Sequence, residues 1–352
     1  MTEVDDNDDP DVANGEFIFI LDRSGSMRGT RIKVAKDALE LFIRSIPPNS
    51  KFNIVSFGSR YESMYPNSIE YNNENMQYAL DKISSFEADF GETELFEPCE
   101  HVLSQPNDEK CPKNVFILTD GCISNTERVL DEIRKSNHQT RVHSFGIGSG
   151  ASVYLVKEIA KEGRGSSTLV ADEDPNLKAK VIKTLKLASK PAFTGLTANW
   201  NLNSECIRFY VPQSPLIPYI YEEEPFHLYA ILSEDQLCES TIDLSFYNTL
   251  EADSQKICIK VDPAQIQNSM HGQEFELAAK HYIDHLSRLT KADKKSRDSE
   301  VVEASVKYRV LSNKTAFFGK IINSAVSTEE MKTIEIPVKS FQGLGGVSYG
   351  GN

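Results

Sequence analysis

The sequence has no long apolar run and no concentrated positive charge, and each absence excludes a class of protein. No stretch of about 18 residues is apolar enough to cross a membrane, so no membrane-spanning helix is predicted. The formal net charge of −14 argues against a protein that binds the nucleic-acid backbone, which requires a basic surface. The first residues lack a basic start followed by an apolar segment, so no secretory signal peptide is expected.

The cysteines also show no organised pattern. Six are spread through the chain without close pairs. An even number leaves disulfide bonds possible, but no spacing supports a particular pairing. Without a predicted signal peptide, this usage favours free thiols and a reducing, cytoplasmic location.

Predicted strands and helices alternate in the first half of the chain, whereas short aromatic and β-branched segments dominate after Pro191. The alternation predicts an α/β fold with a doubly wound, mostly parallel sheet, followed by a smaller β-rich α+β region. The predicted organisation is an acidic disordered tail over residues 1–14, an α/β domain over 15–190, a β-rich domain over 191–265, a helical segment with a returning strand over 266–325, and a flexible Gly-rich tail over 326–352.

The last helix of the α/β domain is predicted over residues 175–187 with Pro175 at its first position, and a later helix over 273–289 with Phe275 in its buried stripe. A basic linker is expected over residues 291–297 and the returning strand over 315–322.

The most informative segment is an apolar strand that ends in a loop rich in oxygen atoms. Residues 17–21 are all apolar, which is typical of a strand buried on both faces of a parallel sheet. The loop that follows carries Asp22, Ser24 and Ser26 at alternate positions. Carboxylate and hydroxyl oxygens are the ligands that Mg²⁺, Mn²⁺ and Ca²⁺ prefer. Because open α/β sheets bind ligands at the carboxyl ends of their strands, a cation site is predicted there.

Two further loops add oxygen atoms that we expect at the same edge of the sheet. Asp120 follows a second apolar strand over residues 114–119, and Thr93 lies in the loop Gly91-Glu92-Thr93. Magnesium takes six oxygen ligands and keeps some water. Five protein groups therefore leave a position for an outside ligand, and a carboxylate of a partner protein would fill it and neutralise the ion.

The segments that carry these residues resemble those of a von Willebrand factor type A domain. The resemblance rests on Asp22–Met27, Gly91–Thr93, Leu118–Gly121 and Phe145–Gly148, which occur in the expected order, and it covers about half of the chain. It implies a Rossmann-like fold and a metal-ion-dependent adhesion site. The residues that match this site are Asp22, Ser24, Ser26, Thr93 and Asp120. The resemblance further implies that the three hydroxyls bind the ion directly, with the two aspartates often acting through water.

A finer resemblance is to the intracellular inter-alpha-trypsin-inhibitor heavy-chain-like and vault poly(ADP-ribose) polymerase-like group. It rests on Asn125-Thr126 after the Asp120 loop, on Val142–Gly148, and on Tyr308–Ser312. That group usually has another domain ahead of the A domain, where this chain has an acidic segment. The chain also has Glu92 where many relatives have glycine, and we expect this carboxylate to point to solvent.

Each motif has an alternative interpretation. Ser24 and Thr30 would cap the first helix, and Asp22 would serve a loop hydrogen-bond network. The run Gly146-Ile147-Gly148-Ser149-Gly150 resembles a dinucleotide loop, but its spacing is not G-x-G-x-x-G and it follows a late strand, so we favour tight helix–strand packing. His281 and His285 share a helical turn, but a zinc site there lacks a third protein ligand.

The predicted function is divalent-cation-dependent protein binding, in which a partner Asp or Glu completes the coordination of Mg²⁺, Mn²⁺ or Ca²⁺. No enzymatic activity is predicted, because no nucleophile elbow follows a strand and no general base lies beside the aspartates. One alternative is a structural subunit of a large intracellular assembly, vault-like or cytoskeletal, with an incidental metal. A metal-dependent hydrolase is a distant alternative. Neither nucleic acid nor membrane is a predicted partner.

Overall fold

The computed structural model describes residues 13–121, 123, 125–202, 206–213, 216–232, 240–262, 273–288, 294–312 and 314–316. The described residues up to Thr315 belong to one compact unit. In this part of the chain no helix is both long enough and apolar enough to cross a membrane.

A seven-stranded sheet forms the centre of the first half of the chain. Its strands are β1 (Glu16–Asp22), β2 (Lys51–Phe57), β3 (Tyr61–Ser63), β4 (Ile69–Glu70), β5 (Lys113–Thr119), β6 (Thr140–Ile147) and β7 (Arg164–Val170). Their order is β3-β2-β1-β5-β6-β7, with β4 also beside β2. The pairs β1–β2, β1–β5, β5–β6 and β6–β7 are parallel, and only β3 and β4 pair antiparallel.

Helices cover both faces of this sheet because its central strands are apolar on both sides. They are α1 (Thr30–Arg44), α2 (Asn73–Ser84), α3 (Phe96–Leu103), α4 (Thr126–Ser136), α5 (Val153–Glu162) and α6 (Leu177–Ala188). Phe17, Phe19 and Leu21 of β1 pack with α1, α2 and α6, whereas Ile18 and Ile20 pack with α3, α4 and α5. The predicted doubly wound, mostly parallel fold is confirmed.

The second half forms two smaller antiparallel sheets and a helical pair. One sheet has the order β10-β8-β12-β13 and the other pairs β11 with β9. The elements are β8 (Ala192–Trp200), β9 (Ile207–Val211), β10 (Ile220–Tyr221), β11 (Tyr229–Leu232), β12 (Ser240–Asn248), β13 (Asp253–Val261), α7 (Gln273–Arg288) and α8 (Lys294–Tyr308). Ala278 of α7 packs on β9 and β11, and Ile283 packs against Val301 of α8. The predicted β-rich α+β region is therefore present, and the boundaries given for the domains stay predictions.

Polar contacts join the second half to the first sheet. The backbone N–H of Tyr219 donates to the carbonyl of His138 at 2.7 Å. The carboxylate of Glu224 pairs with Arg141 of β6 and lies 3.1 Å from Nη2 of Arg164 of β7. The guanidinium of Arg141 also stacks over the ring of Tyr221 at 3.5 Å. A carboxylate held between two arginines therefore ties the β-rich region to β6 and β7.

Three local predictions were wrong. Pro175 was expected at the first position of the last α/β helix, but α6 begins at Leu177, because the Asp174 carboxylate accepts the N–H of Asn176 and holds a turn there. Phe275 was expected in the buried stripe of α7, but it is 53% exposed. A basic linker was expected over residues 291–297, but α8 already begins at Lys294, since lysine and arginine are good helix formers. The strand expected over 315–322 lies almost wholly outside the described residues.

Candidate metal site

The candidate site lies at the carboxyl end of β1, where the connections leave the sheet in opposite directions. Strand β1 pairs with β2 on one side and with β5 on the other, and Leu21 is in register with Leu118. Asp22 ends β1 and Asp120 directly follows β5, so both carboxylates lie at the same edge of adjacent parallel strands. Such a switch point is where open α/β sheets bind their ligands.

Hydrogen bonds fix the Asp22 carboxylate. Its Oδ1 accepts the backbone N–H of Ser24 at 2.9 Å, and its Oδ2 accepts the hydroxyl of Thr119 at 2.6 Å. The Thr119 oxygen in turn accepts the N–H of Gly121 at 3.0 Å. Asp22 thus serves a loop network, as the alternative interpretation proposed, and the same network holds its oxygen atoms toward the Asp120 loop.

Burial dominates the protonation of Asp22. The side chain is fully buried, and this desolvation raises its pKa to about 6, although the hydrogen bonds from Ser24 and Thr119 lower it and the nearby Asp120 raises it further. Within the described residues, the partners of this carboxylate are the Ser24 N–H and the Thr119 hydroxyl, and no cationic side chain contacts it. A divalent cation would supply a positive charge there.

The serine hydroxyls face each other in the loop after β1. Ser24 Oγ and Ser26 Oγ are 2.9 Å apart, and residues Gly25–Met27 form a 3-10 turn. The helix-capping alternative is wrong for both candidate residues, because Ser24 makes no side-chain cap and the N-cap of α1 is Gly29. Thr30 instead donates its hydroxyl to Asp172 at 3.3 Å.

The loop that carries Thr93 is held beside the first loop by its backbone. The N–H of Gly25 donates to the carbonyl of Gly91 at 2.7 Å. Gly91 has φ of +83°, and a Cβ there would lie 2.6 Å from Oγ of Ser59, so glycine is required. Thr93 is half-buried, and within the described residues its hydroxyl makes no hydrogen bond to the other four candidate ligands. Glu92 is exposed, as expected.

Asp120 has an ionic partner that the motif did not predict. The side chain is fully buried. Its Oδ2 accepts a hydrogen bond from the Nη1–H of Arg31, with 2.7 Å between the two atoms. The same Nη1 donates to the carbonyl of Ser26 at 3.1 Å. Arg31 therefore bridges the two loops that supply the candidate ligands.

Arg23, inside the Asp-x-Ser-x-Ser motif, holds the third loop. Its Nε donates to the carbonyl of Glu87 at 2.8 Å and its Nη2 pairs with Asp89 at 2.7 Å. The guanidinium also lies over the rings of Phe86 and Phe90, at 4.6 and 4.2 Å from their centroids. This side chain connects the end of β1 to the segment that leads into Gly91.

Sequence reasoning missed Arg23, Arg31 and Thr119. Their partners are far away in the chain, so no local pattern identifies them. One signal for Arg31 was present: it lies in the first turn of α1, where the helix dipole disfavours a cation. In this structure the carboxylate of Asp120 compensates for that unfavourable position.

The donor set fits a hard divalent cation. Four of the five predicted residues, namely Asp22, Ser24, Ser26 and Asp120, come together as two buried carboxylates and two serine hydroxyls. Oxygen ligands of this kind suit Mg²⁺ or Mn²⁺ better than zinc. Where side chains are described, no group of three or more His, Cys, Asp or Glu residues is placed to hold a metal. The ring of His281 stacks on Tyr229, and the expectation that no zinc is bound there stays a prediction.

Besides having this sheet and this site, the chain matches a known protein family in its sequence. Residues 15–169 match the family model described as von Willebrand factor type A domain. This part of the chain is a von Willebrand factor type A domain. The finer resemblance to the inter-alpha-trypsin-inhibitor heavy-chain-like group stays a prediction.

Curated relatives of this chain carry the same domain name. A von Willebrand factor A domain-containing protein of Dictyostelium discoideum is 33% identical over 324 residues, which is 91% of this chain and 34% of that protein. Von Willebrand factor A domain-containing protein 5A of Rattus norvegicus is 30% identical over 338 residues, which is 92% of this chain and 39% of that protein. The chain thus spans about a third of the length of these relatives.

Solved structures share the fold at low sequence identity. The ArnB paralog VWA2 from Sulfolobus acidocaldarius matches with a TM-score of 0.52 and 15% identity, over 85% of this chain and 82% of that one. The match extends beyond the A domain into the β-rich region.

Proposed function

We propose that this chain is a non-enzymatic, cytoplasmic module that binds a partner protein through a divalent cation. Asp22, Ser24, Ser26, Thr93 and Asp120 would hold Mg²⁺ or Mn²⁺. A bound cation would supply an electrophilic point charge for a carboxylate of the partner. Among the observations, the convergence of two buried carboxylates and two serine hydroxyls at the carboxyl end of β1 carries this proposal.

The charge of the site supports a carboxylate ligand. Asp22 is held by hydroxyl and amide donors, whereas Asp120 pairs with Arg31. One dication added to two carboxylates and one guanidinium leaves the site with net positive charge. An incoming Asp or Glu side chain would neutralise it, and a buried charge is tolerated only when it is paired.

One observation favours the alternative of a structural subunit. Strand β13 is the edge of its sheet, and Ile257 and Ile259 on it are 48% and 43% exposed. Exposed apolar residues on an edge strand are a feature of surfaces that pair with other chains. In that case binding would persist in chelator, whereas the proposed function requires the cation. A metal-dependent hydrolase has no comparable observation in its favour.

The proposal is tested with carboxylate probes. The chain is titrated with peptides that carry a single Asp or Glu, beside the matching Asn or Gln peptides, in Mn²⁺ and in chelator. We expect binding of the acidic peptides in Mn²⁺ alone, weakened at least about tenfold by Ser26→Ala, because a hydroxyl ligand is lost. Ser84→Ala, which removes an exposed serine hydroxyl on α2, is the control and leaves binding unchanged. Equal binding in chelator would contradict the proposal.

A further inference from the structure

Arg31 is placed against the local electrostatic preference of its own helix. It lies in the first turn of α1 (Thr30–Arg44), where the positive end of the helix dipole disfavours cations. Its side chain nevertheless turns toward the candidate site and pairs with Asp120 at 2.7 Å. The ion pair with a buried carboxylate therefore outweighs the unfavourable helix position.

The glycine-rich loop after β6 makes room for this arginine. A Cβ placed on Gly148 would lie 3.0 Å from Nε and 3.2 Å from Cγ of Arg31, and a Cβ on Gly150 would lie 3.1 Å from Nη2. Gly148 also has φ of +86°. Gly146 has a different role, because its Cβ would meet Leu169 and Val156. The helix–strand packing interpretation thus holds for Gly146, whereas the later two glycines form the seat of the guanidinium.

The side chains of Arg31 and Asp120 differ in their exposure to solvent. Asp120 is fully buried, whereas the Arg31 side chain keeps 31% of its surface exposed. A guanidinium stays charged at every physiological pH. An ion bound by the Asp120 carboxylate must therefore share that carboxylate with a permanent positive charge.

We propose that Arg31 is a built-in competitor of the divalent cation at Asp120. It lowers the cation affinity of the site in the free chain. A partner carboxylate offsets the charge of the guanidinium, so the cation and the partner bind cooperatively. This inference rests on the proposed function of the same site.

The test measures the affinity of the chain for Mn²⁺. The electron paramagnetic resonance signal of the free ion reports how much Mn²⁺ is unbound, in a buffer that contains no carboxylates. Arg31→Gln and Arg31→Met remove the charge, Arg31→Lys keeps it, and Lys33→Gln is the control for the lost positive charge on an exposed site of the same helix. Because two charges this close interact strongly in a partly buried site, we expect the neutral variants to bind Mn²⁺ at least about tenfold more tightly. Arg31→Lys stays within about threefold of wild type, and Lys33→Gln is unchanged.

Acetate provides a second readout. Adding acetate, as a carboxylate probe, strengthens Mn²⁺ binding more in the wild type than in Arg31→Gln, because the variant has no guanidinium charge to offset. Circular dichroism and thermal unfolding establish that each variant is folded, and two neutral variants keep the test valid if one of them fails to fold.

The outcomes separate this inference from the function on which it rests. Measurable Mn²⁺ binding by the wild type with unchanged affinity in both neutral variants would overturn the competitor role and leave the cation site standing. Weaker binding in both variants would also overturn it and would make Arg31 a positioning residue for Asp120. No Mn²⁺ binding by the wild type or by any Arg31 variant would overturn both proposals.

Discussion

Strand β1 at the centre of the large sheet and strand β13 at the edge of the smaller one have opposite environments. Every residue of β1 after Glu16 is buried, whereas none of β13 is. The buried strand ends in the carboxylate of Asp22, and the exposed strand carries Ile257 and Ile259 toward solvent. In this molecule the candidate metal-binding carboxylate of Asp22 lies at the end of a strand that is buried on both faces.

The two regions also differ in how their aromatic residues pack. Phe116 lies 5.1 Å from Phe19 and 5.0 Å from Phe42, as measured between ring centroids. In the β-rich region, Phe246 contacts Phe193 with 4.6 Å between ring centroids. Among the described residues its buried cluster contains Leu196 and Ile217, with Ile220, Phe226 and Leu244 partly buried beside it. The large sheet therefore has an apolar core on each of its two faces, whereas the cluster around Phe246 is small.

The largest expected effect comes from breaking the central aromatic cluster. Phe116→Ala removes a fully buried ring and leaves a cavity that the surrounding helices cannot close, so we expect a loss of about 3–5 kcal/mol in the free energy of unfolding. The matched change Phe246→Ala costs less, about 1–2 kcal/mol, because the small cluster around this ring can close more of the cavity. Urea denaturation measures both. Equal losses would contradict the contrast between the two regions.

A second prediction concerns the buried His143 beside Phe116. Burial and the nearby Arg141 lower the pKa of this histidine from 6.5 to about 3. The unfolded chain therefore binds the proton first, and stability falls as the pH drops from about 6.5 toward 3. Between pH 7 and pH 5 this group should remove about 2 kcal/mol of stability.

His143→Gln is the comparison for this pH dependence. The variant loses stability at pH 7, since His143 stacks on Phe116 and its Nδ1 accepts the N–H of Ser166. Between pH 7 and pH 5, the variant should lose about 2 kcal/mol less of its free energy of unfolding than the wild type does. Parallel curves of unfolding free energy against pH would show that His143 does not titrate as proposed.

A third prediction tests the link between the two regions. Glu224→Gln weakens the contacts with Arg141 and Arg164, and Arg141 is nearly fully buried. Because Glu224 itself is about a third exposed, we expect a modest loss of about 1 kcal/mol in the free energy of unfolding. The neighbouring Glu223→Gln is the control: the Glu223 side chain is 78% exposed in its pair with Lys190, so its loss should be near zero. Equal losses in the two variants would argue against a link through Glu224.

The smallest expected effect is on the exposed strand. Ile257→Thr replaces an exposed side chain by another β-branched residue, so the free energy of unfolding should change by less than about 0.5 kcal/mol. The same replacement at Ile20 of β1, which is fully buried, should cost several times more. A large loss at Ile257 in urea denaturation would mean that β13 is covered by another part of the chain.

The parts of the fold that follow local patterns could be predicted, and the parts that depend on distant contacts could not. Strand β1 was readable from its apolar pattern. The exposed Phe275 was not, since periodicity indicates a buried face without stating how far along the helix the partner extends. At the site, Asp22 and Asp120 were found because each ends a buried strand. Arg31 was missed because its partner is 89 residues away.

The most direct test of the cation site is thermal unfolding of the chain in chelator and then in millimolar Mg²⁺ or Mn²⁺. The wild type is compared with Asp120→Asn and with Asp89→Asn, which changes a carboxylate that pairs with Arg23 near the site. An ion that binds only the native state raises its stability by mass action, so we predict a rise of about 3 °C or more in the wild type and in Asp89→Asn, and none in Asp120→Asn. The same unfolding temperature for all three proteins with and without the cation, together with no heat of binding by calorimetry, would contradict the account.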